Sequence, residues 1–299
     1  MSDTMNEQQT LPGNWGRWGE NDDRGTLNLI TDEVRARAAS EVRTGRSVSL
    51  ALTIDATPIL SGPFVPASTE ESPVQQLMVH PVHPTDSISA IVDVLLVTNH
   101  HPRSTHIDAL AHIASGGFVY PGRPLDESVS PAGVHLGSTA AFGEGIVTRG
   151  ILLDLGGDGP FPEDRAVTAD DLEAAERREG VRVESGDALV VRGGWGFTPD
   201  PNRPSLGMSV DAIGWMHRRG VSLYAGDIGD ALLPLNPAVP FPLHSVAITR
   251  MGMPLIDAAN VDDLAAVCAE TGRYSFLLTV APPRVNGATG LPVNPIAIF

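Results

Sequence analysis

The sequence contains no lysine, so all 20 of its basic residues are arginine. The absence of lysine excludes a Schiff-base mechanism and a phosphate-binding loop of the Walker type, because both depend on a lysine amine. The formal net charge is −16 at pH 7. A chain this acidic disfavours nucleic acid and anionic membranes as partners. We therefore expect the partner to be a small-molecule substrate.

Cysteine is almost absent, and Cys268 is the single one. One thiol excludes disulfides within the chain, cysteine-rich zinc sites and iron–sulfur clusters. Cys268 lies in the helical pattern DDLAAVCAETG, where we expect a buried and inert thiol. The sequence also lacks an apolar run long enough to span a membrane, and MSDTMNEQQTLPGNWG lacks the apolar core of a signal peptide. We expect a soluble, cytoplasmic protein.

Strand and helix patterns alternate along the second half of the chain. The runs GIVTRGILLDL and DALVVRGGW predict strands, and patterns typical of helices of about 10 to 13 residues follow them. Thr168 is expected to begin one of these helices, and Gly180 to end it. The alternation predicts an α/β fold. We expect one domain over residues 15–299, preceded by a flexible arm over residues 1–14.

Four further segments have specific expectations. Residues 87–100, SISAIVDVLLVTNH, are apolar and β-branched and predict a buried strand. The segment HSVAITRMGMPLID also resembles a strand. Asn260 and Asp263 are placed to cap the helix that contains Cys268. Residues 56–74 form a long loop rich in proline and serine, and loops of this length are often functional.

Histidine is concentrated in one place, since four of the nine histidines fall within residues 100–112. In STHIDALAH, His106 and Asp108 are two apart, so on a strand both project from the same face. A helical turn after Asp108 would also bring His112 to this point. Imidazole and carboxylate suit Zn²⁺, Mn²⁺ or Fe²⁺, and a histidine outside the coordination sphere could transfer protons. Alternatively, these side chains cap a helix or hydrogen-bond to a loop.

The stretch THIDALAH resembles the core of the signature H-x-G-T-H-x-D-x-P-x-H. This signature belongs to the cyclase-like metal-dependent hydrolase superfamily, which includes bacterial kynurenine formamidase and isatin hydrolase. Further segments match in the same order over nearly the whole chain: NWGRWGENDDRGTLNLIT, GGFVYPG, RGILLDL, GDALVVRGGW, FPLHSVAITRMGMPLID and GATGLPVNPIAI. The resemblance implies a swivelling β/β/α fold with a mixed sheet flanked by helices. It also implies a homodimer or homotetramer.

The resemblance implies roles for individual residues. His106 and Asp108 match the central metal ligands. His112 matches the last histidine of the signature, which is the proposed general base or acid. His244 matches a downstream histidine that binds a second metal in binuclear members, and Asp257 falls where those members have glutamate.

The sequence departs from the signature at three positions. Pro102 stands where the first histidine, a metal ligand in the superfamily, should fall. His101 or His100 would have to take its place. The signature's glycine is Ser104, and its proline is Leu110. Which upstream histidine completes the site is therefore open from sequence.

The shorter side chain at Asp257 argues against a second metal. We expect one divalent ion, Mn²⁺ or Zn²⁺, held by His106, Asp108 and an upstream histidine. The reaction that the resemblance implies is hydrolysis of a C–N bond in a small cyclic or aryl amide, by a metal-activated water with His112 as general base. Two alternatives remain. One is a biosynthetic cyclase or dehydratase that uses the metal as a Lewis acid, and the other is a metal-free binding protein with the same fold.

Several other side chains are weaker candidates. Asp227 and Asp230 follow a strand, where α/β folds often place functional groups, although Asp227 could equally cap a helix. Five aromatic residues are candidates for contact with an aromatic substrate: Trp15, Trp18, Phe64, Phe118 and Tyr120. The alternative for the two tryptophans is a packed N-terminal anchor.

Overall fold

The computed structural model describes residues 11–58, 72–79, 90–157, 159–194, 207–231 and 236–299. Its strands are β1 Ser47–Ser49, β2 Thr57–Pro58, β3 Val74–Val79, β4 Val92–Val97, β5 His106–Asp108, β6 Phe118–Val119, β7 Arg123–Pro124, β8 Val129–Ser130, β9 Gly133–Val134, β10 Ile146–Asp154, β11 Ala188–Arg192, β12 Leu223–Gly226, β13 Leu255–Asp257, β14 Ser275–Val280, β15 Gly290–Pro292 and β16 Ile296–Ile298. Its α-helices are α1 Asp32–Ala39, α2 Leu125–Ser128, α3 Ala169–Glu179, α4 Val210–Arg219 and α5 Asp262–Thr271. Two 3₁₀ helices cover Gly25–Leu29 and Thr139–Phe142, and a π-helix covers Leu243–Met251.

Nine of these strands form one large mixed sheet in the order β1–β16–β14–β10–β11–β12–β13–β5–β15. Strands β10 to β13 are parallel to one another, and all other neighbours in the sheet are antiparallel. Helix α3 connects β10 to β11, and α4 connects β11 to β12, as expected for parallel strands joined by helical crossovers. None of the helices in the described ranges has the length and hydrophobicity needed to cross a bilayer.

The sheet separates two hydrophobic cores. In β10, Leu152 packs into one core, and its neighbours Ile151 and Leu153 pack into the other. Helices α1 and α5 cover the first face, and α3 and α4 cover the second. Cys268 of α5 is fully buried in the first core, and burial raises the pKa of its thiol to about 12. The predicted α/β fold, a mixed sheet flanked by helices, is confirmed.

Capping explains where α3 begins and ends. Thr168 and Asp171 form a reciprocal capping box at its start, and Gly180 ends it with a φ of 66°. The prediction for α5 was wrong, because neither Asn260 nor Asp263 caps that helix through its side chain. Asp263 instead lies within the first turn, where its negative charge still favours the helix N-terminus.

Two predicted strands turned out differently. The segment HSVAITRMGMPLID is mostly a π-helix, and only Leu255–Asp257 is a strand. Six of the nine residues of the π-helix are buried, and a short apolar run does not distinguish a buried helix from a strand. Within residues 87–100, β4 is a strand, but all six of its residues are exposed rather than buried. It pairs with β3 in a separate three-stranded sheet, β2–β3–β4, in which Val74 at the start of β3 is buried and the residues of β4 are exposed.

The N-terminal segment is anchored where the structure describes it. Asn14 is buried, and its side-chain amide donates a hydrogen bond of 2.8 Å to the backbone oxygen of Met251. Residues 1–10 of the predicted arm, and residues 59–71 of the predicted long loop, lie outside the described residues. The division into an arm and one domain stays a prediction.

The carboxyl group of Glu179 ends α3 in a buried position, with its side chain 3 % exposed. It accepts a hydrogen bond of 2.9 Å from the backbone N–H of Asp154 and lies 2.9 Å from Arg178, but its Oε2 has no hydrogen-bond partner. Burial outweighs these contacts and raises the pKa of Glu179 from 4.5 to about 7. Between these values the folded protein holds a proton that the unfolded chain has released. The free energy of unfolding therefore falls as the pH rises through this window.

We expect Glu179→Gln, which cannot ionise, to remove this part of the pH dependence. The difference in the free energy of unfolding between wild type and variant should change by up to about 3 kcal/mol between pH 4 and pH 8. The variant should become more stable relative to wild type at the higher pH. Urea unfolding at several pH values measures the difference. Parallel stability curves for the two proteins would contradict the prediction.

Candidate metal centre

Strand β5 fixes the orientation of His106 and Asp108. Ile107 between them is fully buried in the core, so its two neighbours project from the opposite face. Nε2 of His106 lies 3.6 Å from Oδ1 of Asp108, which confirms the predicted shared face. Nδ1 of His106 is 2.7 Å from the backbone oxygen of Ser104. Since that contact requires a proton on Nδ1, Nε2 is the nitrogen that remains to bind a metal.

Asp108 is the most deeply buried acid of the site, with an exposure of 0 %. Its Oδ1 lies 2.7 Å from Nδ1 of His100. Its Oδ2 makes no hydrogen bond, and Nε2 of His244 and Nε2 of His112 lie 3.5 Å and 3.9 Å away. Burial alone would raise the pKa of Asp108, but the hydrogen bond from His100, the approach of His244 at 3.5 Å and the other imidazoles hold it well below its usual range. A buried, ionised carboxylate with one unbonded oxygen fits a bound cation.

His100 is the upstream histidine that the fold brings to Asp108. Its Nε2 lies 3.0 Å from Oγ1 of Thr289, and a Cβ atom at Gly290 would approach the ring to 2.3 Å, so glycine makes room for it. His101 is also buried, but its Nδ1 accepts a hydrogen bond of 3.1 Å from a backbone N–H two residues later. Among the described residues His101 belongs to no group of candidate metal ligands.

After Asp108 the chain makes one turn rather than a helix, with the N–H of His112 bonded to the oxygen of Ala109 at 3.0 Å. The turn stacks His112 on His100, with the ring centroids 3.7 Å apart. Burial lowers the pKa of His112 to about 4 despite the nearby Asp108. No hydrogen bond reaches this ring within the part of the chain that the structure describes.

His244 enters the site from the first turn of the π-helix. Asp230 accepts hydrogen bonds of 2.9 Å and 3.0 Å from the backbone N–H groups of Leu243 and His244, and it lies 2.9 Å from Nδ1 of His244. It therefore caps the helix and orients the ring. Nε2 of His244 lies 3.5 Å from both Asp108 and Asp257. Burial lowers the pKa of His244, but the three carboxylates outweigh burial and raise it to about 12. The site thus favours a positive charge at this place.

Two overlapping sets of side chains could hold a metal, with donor atoms within 4.8 Å of one another in each: His100, Asp108 and His112, and His106, Asp108 and Asp257. Both sets combine imidazole with carboxylate, which suits Zn²⁺ or Mn²⁺. Except for Asp108, these residues border a cavity of about 290 Å³, which is also lined by Pro102, Gly226, Asp227, Gly229, His244 and Ala258. The donor atoms, the unbonded oxygen of Asp108 and the cavity fit a divalent ion beside a small substrate.

Several residues of the site were missed or only partly recognised from sequence. Asp230 was noted only as an acidic residue after a strand, and its contact with His244 was not foreseen. The carboxylate of Asp227 accepts backbone N–H bonds of 2.6 Å from Gly193 and 3.1 Å from the next residue, and it caps none of the described helices. Thr289 and Gly290 were quoted only within the segment GATGLPVNPIAI, and no spacing linked them to His100.

The aromatic candidates do not line the metal cavity. Trp15 and Phe118 contact each other, with ring centroids 6.0 Å apart, and they line a different cavity. Tyr120 is buried, and its hydroxyl donates a hydrogen bond of 2.7 Å to an aspartate. Trp18 lies under an arginine guanidinium at 4.6 Å. Phe64 lies outside the described residues. Their part in substrate binding stays a prediction.

Comparison with solved structures finds the same fold in other proteins. A protein described as a novel cyclase aligns with a TM-score of 0.82 and 28 % identity, over 96 % of this chain and 99 % of that one. Isatin hydrolase A from Labrenzia aggregata, solved with benzyl benzoate bound, aligns with a TM-score of 0.58 and 18 % identity, over 91 % and 98 %. A potential metal-dependent hydrolase with cyclase activity gives a TM-score of 0.50 and 11 % identity, over 84 % and 98 %.

Comparison with curated proteins gives no match. A model of the protein family described as "Putative cyclase" matches residues 48–230, which include β5 and the turn that follows it. The match spans more than half of the chain. The protein therefore belongs to this cyclase family.

Proposed function

We propose that the protein is a metal-dependent hydrolase that cleaves a C–N bond of a small cyclic or aryl amide. The main observation behind the proposal is Asp108, a fully buried carboxylate that faces imidazoles and keeps one oxygen unbonded. The family membership and the fold shared with isatin hydrolase A support a hydrolase.

We propose that one Mn²⁺ or Zn²⁺ binds Asp108, which both sets of donor atoms share, together with one imidazole from each set, His106 and His100. When bound, a divalent ion polarises a carbonyl group and lowers the pKa of water. His106 is prepared for this role, because its Nδ1 is engaged by a backbone oxygen and its Nε2 faces the carboxylate. Asp230 and Asp257 hold His244 at the edge of the same cavity, where its charge is available to a substrate oxygen.

His112 is assigned the proton transfer. Its ring is 20 % exposed, borders the cavity and is held by stacking on His100 rather than by a hydrogen bond. Nε2 takes a proton from the water that attacks the amide carbonyl and returns it to the nitrogen that leaves as the C–N bond breaks. Asp108, with Oδ2 3.9 Å from this Nε2, stabilises the ring while it is protonated.

A cyclase or dehydratase is the second candidate, and the family's description favours it. The same side chains would serve that reaction. The mass of the product separates the two, because hydrolysis adds one water to the substrate whereas cyclisation and dehydration do not.

The metal assignment predicts different outcomes for two adjacent histidines. We expect His100→Ala to weaken metal binding by about 10- to 100-fold, because the ring contacts Asp108 directly. We expect His101→Ala to change the metal affinity by no more than about two-fold, because the ring of His101 is hydrogen-bonded to the backbone instead. Metal titration and elemental analysis measure affinity and stoichiometry, and we expect one ion per chain. The reverse order of the two variants would show that His101 is the ligand, and two ions would show that both sets of side chains are filled.

For His112→Ala we expect a loss of turnover of about 10²- to 10⁴-fold with the metal retained, because the ring moves the proton and does not hold the ion. A panel of cyclic and aryl amides, analysed by product mass, identifies the substrate and the reaction. Loss of metal from this variant would show that His112 is a ligand. A wild-type protein that binds no metal, together with unchanged function in His106→Ala, would instead indicate a metal-free binding protein.

We also propose that two copies associate through the sheet β2–β3–β4. Eight large apolar side chains of this region are 37–66 % exposed: Leu77, Met78, Ile91, Val92, Val94, Leu95, Leu96 and Val97. Monomeric proteins rarely expose a contiguous apolar patch larger than a few hundred Å². Eight such side chains approach that area, and one side of a standard protein–protein interface buries about 800 Å².

The low charge of the sheet β2–β3–β4 makes it the face where a second copy of the same chain meets the least electrostatic repulsion. Each copy has a net charge of −16, so two copies repel over most approaches. Strands β3 and β4 contain one charged residue, Asp93, which already accepts a hydrogen bond of 2.8 Å from Gln76. Strand β4 is also the outer strand of its sheet, so an antiparallel pair of β4 strands related by a two-fold axis would satisfy its free backbone groups.

We expect Val94→Asp combined with Leu95→Asp to convert a dimer into a soluble monomer, because the two substitutions place charge on both faces of β4. The matched control is Val285→Asp, an exposed apolar residue outside this sheet, which should leave the dimer intact. Light scattering after gel filtration measures the mass. A monomeric wild type whose β4 amides resist hydrogen exchange would show that another segment of the same chain covers the sheet.

A further inference from the structure

A second cavity of about 180 Å³ lies between the N-terminal segment, the residues before β6 and the π-helix. We call it the Trp15 cavity, and its main lining residues are Leu11, Trp15, Ser115, Gly116, Phe118 and Arg250. No ligand of the candidate metal centre lines it. Its volume is below the 300–1,000 Å³ of sites for drug-sized ligands and suits a molecule with one ring.

The positive charge of the cavity comes from Arg250. Its guanidinium carbon lies 5.4 Å from the centroid of the Trp15 ring. Its Nε is buried without a hydrogen-bond partner, and within the described ranges no carboxylate forms an ion pair with it. Arg273 differs from Arg250 in this respect: it also lies over an aromatic ring, but it forms an ion pair with Glu41 at 3.2 Å. In a chain with 36 acidic and 20 basic residues, an arginine beside a cavity without an acidic partner is available to an anion from outside.

Two aromatic rings form the apolar wall beside this charge. Trp15 and Phe118 lie at 53° to each other, and each is about 40 % exposed. Nε1 of Trp15 donates a hydrogen bond of 2.8 Å to the backbone oxygen of Thr249, one residue before Arg250. A Cβ atom at Gly122 would lie 2.9 Å from the same indole, so backbone packs closely against it. The indole is therefore held in place, with one surface available to a ligand.

We propose that the Trp15 cavity binds a small aromatic carboxylate. The ring of the ligand packs against Trp15 and Phe118, and its carboxylate pairs with the guanidinium of Arg250. Each part alone gives only weak binding, because an exposed ion pair contributes little and a single ring contact is weak. This site is separate from the proposed hydrolase centre and does not depend on it.

The experiment is calorimetric titration of the full-length, metal-loaded protein with benzoate, benzamide and acetate at constant ionic strength. We expect benzoate to bind at least ten-fold more tightly than benzamide, which lacks the charge, and than acetate, which lacks the ring. Arg250→Met should weaken benzoate at least ten-fold and leave benzamide unchanged. The matched control is Arg17→Met, which removes an exposed arginine over Trp18 away from the cavity and should change nothing.

A second variant, Phe118→Ala, tests the ring contact without removing the charge and should weaken both benzoate and benzamide. Benzoate that bound instead to the metal would lose affinity in His106→Ala and keep it in Arg250→Met, and this pattern would overturn the proposal. The absence of benzoate binding at concentrations up to about 10 mM would also overturn the proposal, because a site with a Kd above that value is too weak to be useful. Circular dichroism of each variant shows that a loss of binding does not come from a loss of fold.

Discussion

The structure of the candidate site depends on one constraint, which is that the carboxylate of Asp108 has no contact with solvent. Transfer of such a charge out of water costs several kcal/mol unless positive charge and hydrogen bonds replace the lost hydration. Two side chains around Asp108 meet that requirement: His100 by a direct hydrogen bond, and His244 by a charge that two further carboxylates maintain. The register of β5 between β13 and β15 keeps the group in this position.

The sequence was informative where local spacing decides the outcome. His106 and Asp108 share a face because they are two apart on a strand, and the capping box and glycine of α3 mark its ends. Spacing could not decide between His100 and His101, because the contacts of His100 come from residues 289 and 290, far along the chain. Periodicity also identified β4 as a strand but could not tell whether anything covers it. The π-helix was not recognised from sequence for a related reason, since most of its residues are apolar and buried and their pattern also fits a strand.

Two features outside the metal centre share one property, namely that the described residues leave them largely without partners. The sheet β2–β3–β4 exposes apolar side chains, and Arg250 has no acidic partner in the described part of the protein. In each case the chemistry of the exposed group indicates what would satisfy it. An apolar sheet with one charged residue suits a second copy, and an isolated guanidinium beside two rings suits an aromatic anion. These features are the basis of the two binding surfaces proposed outside the metal centre.

The π-helix gives the two cavities a shared geometric dependence. His244 near its start borders the metal cavity, and Arg250 near its end borders the Trp15 cavity. A π-helix accommodates one more residue per bulge than an α-helix of the same rise, so loss of a single residue between these positions would restore α-helical winding. A change in the winding of this helix between His244 and Arg250 would therefore change the relative orientation of these two side chains. The helical register of this one segment links the two cavities, although they share no lining side chain.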